Sequence, residues 1–151
     1  MKNAGVELIT WSNSYSCGIK LIDDQHKILI NMINDMFIHV TGSEKEEKDY
    51  LFEIVHNITE YIQLHCKTEE KIMVASKYDG YSKHKKEHES IILNFIEKAN
   101  ECLLGNKLTL YLLAKYLKEW IFTHISVMDK NYFKYYREIA GKTELPAVVN
   151  F

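Results

Sequence analysis

The chain has 151 residues, 46% of them hydrophobic, which suits one domain built around one core. Its 19 basic and 21 acidic residues leave a net charge of −2, and the densest basic run, KHKKEH at 83–88, is interleaved with glutamate, so no nucleic-acid surface is expected. No apolar run reaches the roughly 20 residues that span a bilayer, and MKNAGVELITWSNSYS lacks the apolar stretch of a signal peptide, so a cytoplasmic protein is expected.

Residues 1–21 show no sustained helical period and read as an extended N-terminal arm, with Trp11 and Tyr15 packed on the domain. From Asp23 onward Leu29, Ile30, Ile33, Phe37 and Val40 follow the spacing of an amphipathic helix. Thr41-Gly42-Ser43 stops it, and Ser43 with Glu46 offers a capping box for a second helix running to about Lys77. Asp79-Gly80 breaks the chain before a third helix, from about Ser82 to Gly105. A fourth runs from Thr109 towards Gly141 through Leu110, Leu113, Leu117, Trp120 and Ile121. Only one proline and six glycines punctuate the chain, and short connections between amphipathic helices favour an all-α, up-down-up-down four-helix bundle. The expected organisation is a single domain over 1–151: arm 1–21, bundle 22–141 and tail 142–151. The odd cysteine count (Cys17, Cys66, Cys102) argues against a disulfide framework and for a reducing compartment.

Each residue advances about 100° around a helix, so facing follows from spacing. His65 lies three, seven and eleven places after Ile62, Ile58 and Ile54, on the apolar stripe of the second helix, and Glu69 lies one turn further along it. His26 precedes Leu29, Ile33 and Phe37 by the same intervals. His84 and His88 share a face continued by Ile91, Ile92 and Phe95, and His124 follows Ile121, Trp120, Leu117 and Leu113. His56 and His39 fall off these stripes and are expected at the surface. One inward histidine is most simply a core residue bonded to a carbonyl. Five of them on four helices, with an inward carboxylate, cannot satisfy one another in an apolar bundle. A cationic metal centre resolves the conflict, because it pairs Glu69 and uses the imidazole lone pairs together.

Imidazole suits Zn, Cu, Fe and Ni, so ligand type does not choose the metal, although the donors are too many for one closed tetrahedral zinc. Asp129, in HISVMD, is a further candidate. Its five-residue offset from His124 lies about 140° off the face of a regular helix, so it needs a local distortion or a long reach.

His26 in IDDQH, His65 and Glu69 as H-x3-E, His84 and His88 as H-x3-H, and His124 with Asp129 as H-x4-D resemble the seven-ligand signature of the hemerythrins, the bacterial single-domain branch above all. The resemblance spans essentially the whole chain, including the Trp11 arm, GIKLID, EEKIM and LKEWIFTH. Cys66 and Ser82 depart from it, at places where an aromatic residue and a proline are common, and neither is a ligand position. The resemblance implies a non-haem di-iron centre (Fe2+/Fe3+) with a bridging oxo or hydroxo that binds O2 reversibly, for storage, delivery or sensing, and no catalytic residue. It also implies that His84, His88 and His124 complete one iron while His26 and His65 hold the other, with Glu69 and Asp129 bridging. Two six-coordinate irons offer twelve positions; five imidazoles, two bridging carboxylates and a bridging oxygen leave one for dioxygen. Helix geometry nominates Ile121, one turn before His124, with Trp120 alongside, as an apolar pocket over that position.

Three other readings compete. The same site could serve a di-iron redox enzyme or stress protein acting on peroxide or nitric oxide, though few inward polar groups beyond the ligands are present to handle substrate protons. It could release iron, or report iron or oxygen to a protein partner that the sequence does not identify. A purely structural bundle would leave the seven-residue constellation unexplained.

Overall fold

The computed structural model describes residues 6–105, 109–138 and 141. Four antiparallel rods form the bundle: α1 (Lys20–Ile38), α2 (Glu44–Ala75), α3 (Tyr81–Leu103), and a composite of α4 (Leu110–Thr123), a π-helical turn (His124–Asp129) and α5 (Lys130–Glu138). The fourth expected helix is therefore three segments, and α1 begins two residues before the expected bundle boundary at 22. The expected tail, 142–151, lies outside the described residues. No described helix is long and apolar enough to cross a membrane.

The arm is docked rather than fully extended. Its Asn13–Tyr15 segment forms a 3-10 turn, capped where the Ser14 N–H donates to Ser12 Oγ. Ile9 is buried, and both of its backbone groups pair with Asn34 of α1, the Ile9 N–H with Oδ1 at 2.9 Å and the Ile9 carbonyl with Nδ2 at 2.7 Å. Trp11 and Tyr15 pack half-buried against the core.

Local chemistry sets the helix ends. The Ser43–Glu46 capping box does not form, since Ser43 occupies the cap without a side-chain bond. Glu47 acts instead, its Oε1 accepting from Thr41 N at 2.9 Å and Gly42 N at 2.8 Å. Gly42, at φ +79°, turns these consecutive N–H groups towards one carboxylate, a concave anion site that only a left-handed residue provides. At the other end of α2, Lys77 adopts φ 54°, while Tyr78 N donates to Met73 O and Lys77 N to Val74 O. This is a Schellman closure with lysine in the place glycine favours. Thr109 caps α4, accepting from Leu112 N.

The rods close into a ring in which α2 packs most closely on α3 and α1 on α4. Two apolar clusters fill it. The larger holds Leu29, Leu51, Ile62, Phe95, Leu113 and Ile121, and the smaller holds Ile22, Ile72, Met73, Tyr132, Phe133 and Tyr136. Burying each large apolar side chain contributes roughly 1.5–3 kcal/mol. Along every rod the clusters are separated by buried polar residues, and that layer positions the site.

Candidate metal centre

His26 comes from α1, His65 and Glu69 from α2, His84 and His88 from α3, and His124 and Asp129 from the fourth rod; none is more than 3% exposed. On α2 and α3 the four-residue spacing stacks the pairs on one face. The π turn does the equivalent on the fourth rod. Its wider hydrogen-bonded ring absorbs the extra residue of H-x4-D and brings Asp129 round to the His124 side, which a regular helix would not do.

The donors form two groups. His26 Nε2 and His65 Nε2 are 3.2 Å apart, with Asp129 Oδ2 at 3.0 Å from His26 and Glu69 Oε1 at 3.3 Å from His65. His88 Nε2 and His124 Nε2 are 3.1 Å apart, with Asp129 Oδ1 at 2.9 Å from His124 and 3.1 Å from His84, and Glu69 Oε2 at 3.3 Å from His88. Each carboxylate thus gives one oxygen to each group. Neighbouring donors on a six-coordinate ion with bonds of about 2.1 Å stand roughly 3 Å apart, the spacing found here.

The set fits a pair of cations and little else. Both oxygens of Glu69, both of Asp129 and Nε2 of His84 are buried without a hydrogen-bond partner. Facing imidazole nitrogens leave at least one lone pair aimed at its neighbour in each close pair, because only one nitrogen of a neutral pair can donate. Burial alone would raise the Glu69 pKa, yet the facing imidazoles of His65, His124, His26 and His84 hold it well below the usual carboxylate range. Asp129 is likewise lowered: burial and the Glu69 charge oppose its ionisation, and His124 and His26 prevail. Burial disfavours the cations of His26 and His124, but contact with Asp129 and Glu69 raises them to about 9 and about 10. His65 is lowered by burial to about 4. Without metal, protons on His26 and His124 thus stand against the two carboxylates. All three cysteines are free and buried, and burial pushes their thiols up, so they stay protonated.

Three orienting residues were not singled out from the sequence. Gln25 Oε1 sits 2.9 Å from His65 Nδ1, and Gln25 Nε2 donates to Thr68 Oγ1 at 3.3 Å. Glu70 Oε1 sits 2.9 Å from His88 Nδ1. These partners fix the Nδ1 tautomer and leave Nε2 free to ligate. Gln25 carried a signal, a polar residue four before Leu29 and eight before Ile33 on the α1 stripe. Glu70 carried none, being the second half of a charged pair on a long helix.

Ile121 is 2% exposed and lines a cavity of about 20 Å³ between the arm (Ile9, Tyr15), Ile30 of α1 and the fourth rod (Lys118, Phe122, Ile125), to which no donor contributes. Trp120 is half-buried and stacks on the His124 ring, centroids 4.9 Å apart and planes 17° from parallel. Trp120 therefore lies against the three-histidine group and not, as expected of the pocket, over the His26–His65 side, because its ring stacks on His124 one turn further along the same rod. His39 and His56 lie outside the cluster: His39 stacks on Tyr50, centroids 3.6 Å apart, and exposed His56 pairs with Glu60 at 3.2 Å.

Residues 17–136 match the family model described as "Hemerythrin HHE cation binding domain". The chain is 27% identical to a bacteriohemerythrin of Stenotrophomonas maltophilia, covering 83% of this chain and 79% of that protein. It is 31% identical to a myohemerythrin of Sipunculus nudus, covering 83% and 88%. A solved structure of wild-type hemerythrin superposes with a TM-score of 0.70 at 25% identity, over 84% of this chain and 96% of that one.

Proposed function

The chain belongs to the hemerythrin family, whose di-iron centre binds dioxygen, and we propose that its seven buried donors hold that centre. His26 and His65 would hold one iron and His84, His88 and His124 the other, with Glu69 and Asp129 offering an oxygen to each. The observation that carries this reading is the division of each carboxylate between the two donor groups. A lone structural ion would not need it.

When bound, the iron pair supplies a redox-active site at which dioxygen binds reversibly. The chain's own residues decide where and for how long. The His26–His65 group has one imidazole fewer than its neighbour, so dioxygen is assigned to that side. Gln25 holds His65 there through the Nδ1 contact, and Glu70 does the same for His88. To Ile121, buried one turn before His124, we assign the exclusion of water from this layer of the core.

We assign the protein to dioxygen binding, for storage, delivery or sensing, rather than to substrate turnover. Among the described residues, the buried polar side chains besides the seven donors and the tyrosines are Gln25, Asn34 and Thr68. Asn34 is committed to the arm, and Gln25 and Thr68 to His65 and each other, so none of the three is free to handle the protons of an organic substrate. Three buried free cysteines suit the reducing cytoplasm. The test is metal analysis of protein made in iron-replete cells. About two irons per chain are expected, as in dinuclear bundle sites, and a single zinc with no iron would sink the reading.

A further inference from the structure

The two donor groups differ in their surroundings. The His84 ring stands edge-on to Tyr132, centroids 6.4 Å apart. Tyr132 is fully buried, its hydroxyl 2.9 Å from Ser76 Oγ. Its ring lies 4.7 Å from that of Tyr78, which lies 5.0 Å from that of Tyr135. Tyr135 closes the path, its hydroxyl donating to the Ser76 carbonyl at 3.3 Å. Tyr78, Tyr135 and Ser76 are half-exposed, so an unbroken line of phenols runs from His84 to the surface. Among the described residues, the rings of His26 and His65 meet no aromatic ring but each other's, at 4.7 Å. Packing alone would be served as well by phenylalanine, whereas a buried phenol requires a hydrogen-bond partner. Here the partner is a serine at the solvent boundary.

We propose that Tyr132, Tyr78 and Tyr135 relay oxidising equivalents from the metal centre to the surface, so that the protein also reduces hydrogen peroxide at the expense of its own phenols. This rests on the di-iron reading. Reducing one hydrogen peroxide to two waters consumes two electrons and two protons. Tyr132 gives up one electron to the centre as its phenolic proton moves onto Ser76 Oγ, whose own proton, donated at rest to the Met73 carbonyl, is released to solvent. One proton is taken from solvent for the peroxide with each electron. Tyr78 returns an electron and a proton to Tyr132; in the second passage Tyr135 restores Tyr78 in the same way, and Tyr78 refills Tyr132 again, which leaves Tyr78 and Tyr135 as radicals. The paired phenoxyl radicals of Tyr78 and Tyr135 then join through a ring carbon–carbon bond. The sum is one peroxide and two phenols giving two waters and one dityrosine. A one-electron reductant of the ascorbate class, where present, refills the phenols and prevents the bond.

The experiment treats iron-loaded and metal-free protein with hydrogen peroxide without reductant, then reads dityrosine fluorescence and maps cross-linked peptides. Iron is counted first. A Tyr78–Tyr135 cross-link is expected in the loaded protein, its loss in the metal-free protein, and its suppression by ascorbate. Tyr132→Phe should lose most of the cross-link and shift oxidation to His84. Tyr78→Phe, at the half-exposed end, should abolish it whether or not the Tyr132 variant folds. Full iron with no cross-link, or an equal yield in metal-free or Tyr132→Phe protein, would overturn the relay alone. Protein that takes up no iron would overturn the reading of the centre, and the relay with it.

Discussion

Glu69 and Asp129, carried by different helices, each turn one oxygen to the His26–His65 group and the other to the His84–His88–His124 group. Removing either should therefore abolish the dinuclear site rather than weaken it. Glu69→Ala and Asp129→Ala should each fall clearly short of two irons per chain and lose the oxygenated spectrum. His39→Ala and His56→Ala should change neither, and normal iron and spectrum in Asp129→Ala would show that this residue is misassigned.

The contacts behind the ligands should tune affinity without deciding whether iron binds. Gln25→Ala leaves His65 Nδ1 without its partner, and Glu70→Ala does the same at His88. Loss of such a partner typically lowers metal affinity about 10–100-fold. Competition with a chelator should show this loss for both variants, and parental affinity in both would remove Gln25 and Glu70 from the centre.

Much of this site was legible because helix geometry converts spacing into direction. The five inward histidines and Glu69 follow from intervals of three, four, seven and eleven residues, and the structure buries all of them. Asp129 stood apart. A 100° step sends it away from His124, and only the π turn, which no local composition announces, brings it back. The entry to α2 misled for a similar reason: Ser43 and Glu46 have capping-box spacing, but the left-handed Gly42 hands the N–H groups to Glu47. Glu70 was invisible because its partner, His88, is 18 residues away on another helix.

Ile121 offers a test of how the site keeps water out. Ile121→Ala removes buried volume at a cost of roughly 2–5 kcal/mol in stability. Both Ile121→Ala and Ile121→Ser should keep their irons and still bind dioxygen, but lose the oxygenated spectrum clearly faster at fixed pH. Ser should be faster than Ala, because its hydroxyl can order a water. Decay no faster than the parent in fully loaded variants would show that Ile121 is ordinary core.

The metal-free protein should respond to alkali in a defined direction. His26 and His124 are raised to about 9 and about 10, above the roughly 6.5 of an unfolded histidine. The folded state therefore binds these protons more tightly than the unfolded state. The stability they contribute is whole below about pH 6.5 and is lost as pH climbs through 9 to 10. Thermal melting of metal-free protein should fall across this window, while loaded protein, whose imidazoles carry metal in place of protons, should not follow. Iron uptake at neutral pH should also release protons. A flat melting temperature from neutral to pH 10 in metal-free protein would contradict the assigned contacts.

Reversible dioxygen binding at two bridged irons has an optical signature. Its most direct test is the optical spectrum of the fully iron-loaded ferrous protein under argon, then air, then argon again. A visible absorption that appears with air, disappears on degassing and returns with a second exposure is the predicted result. No change with air, or one irreversible change with both irons still bound, would contradict it.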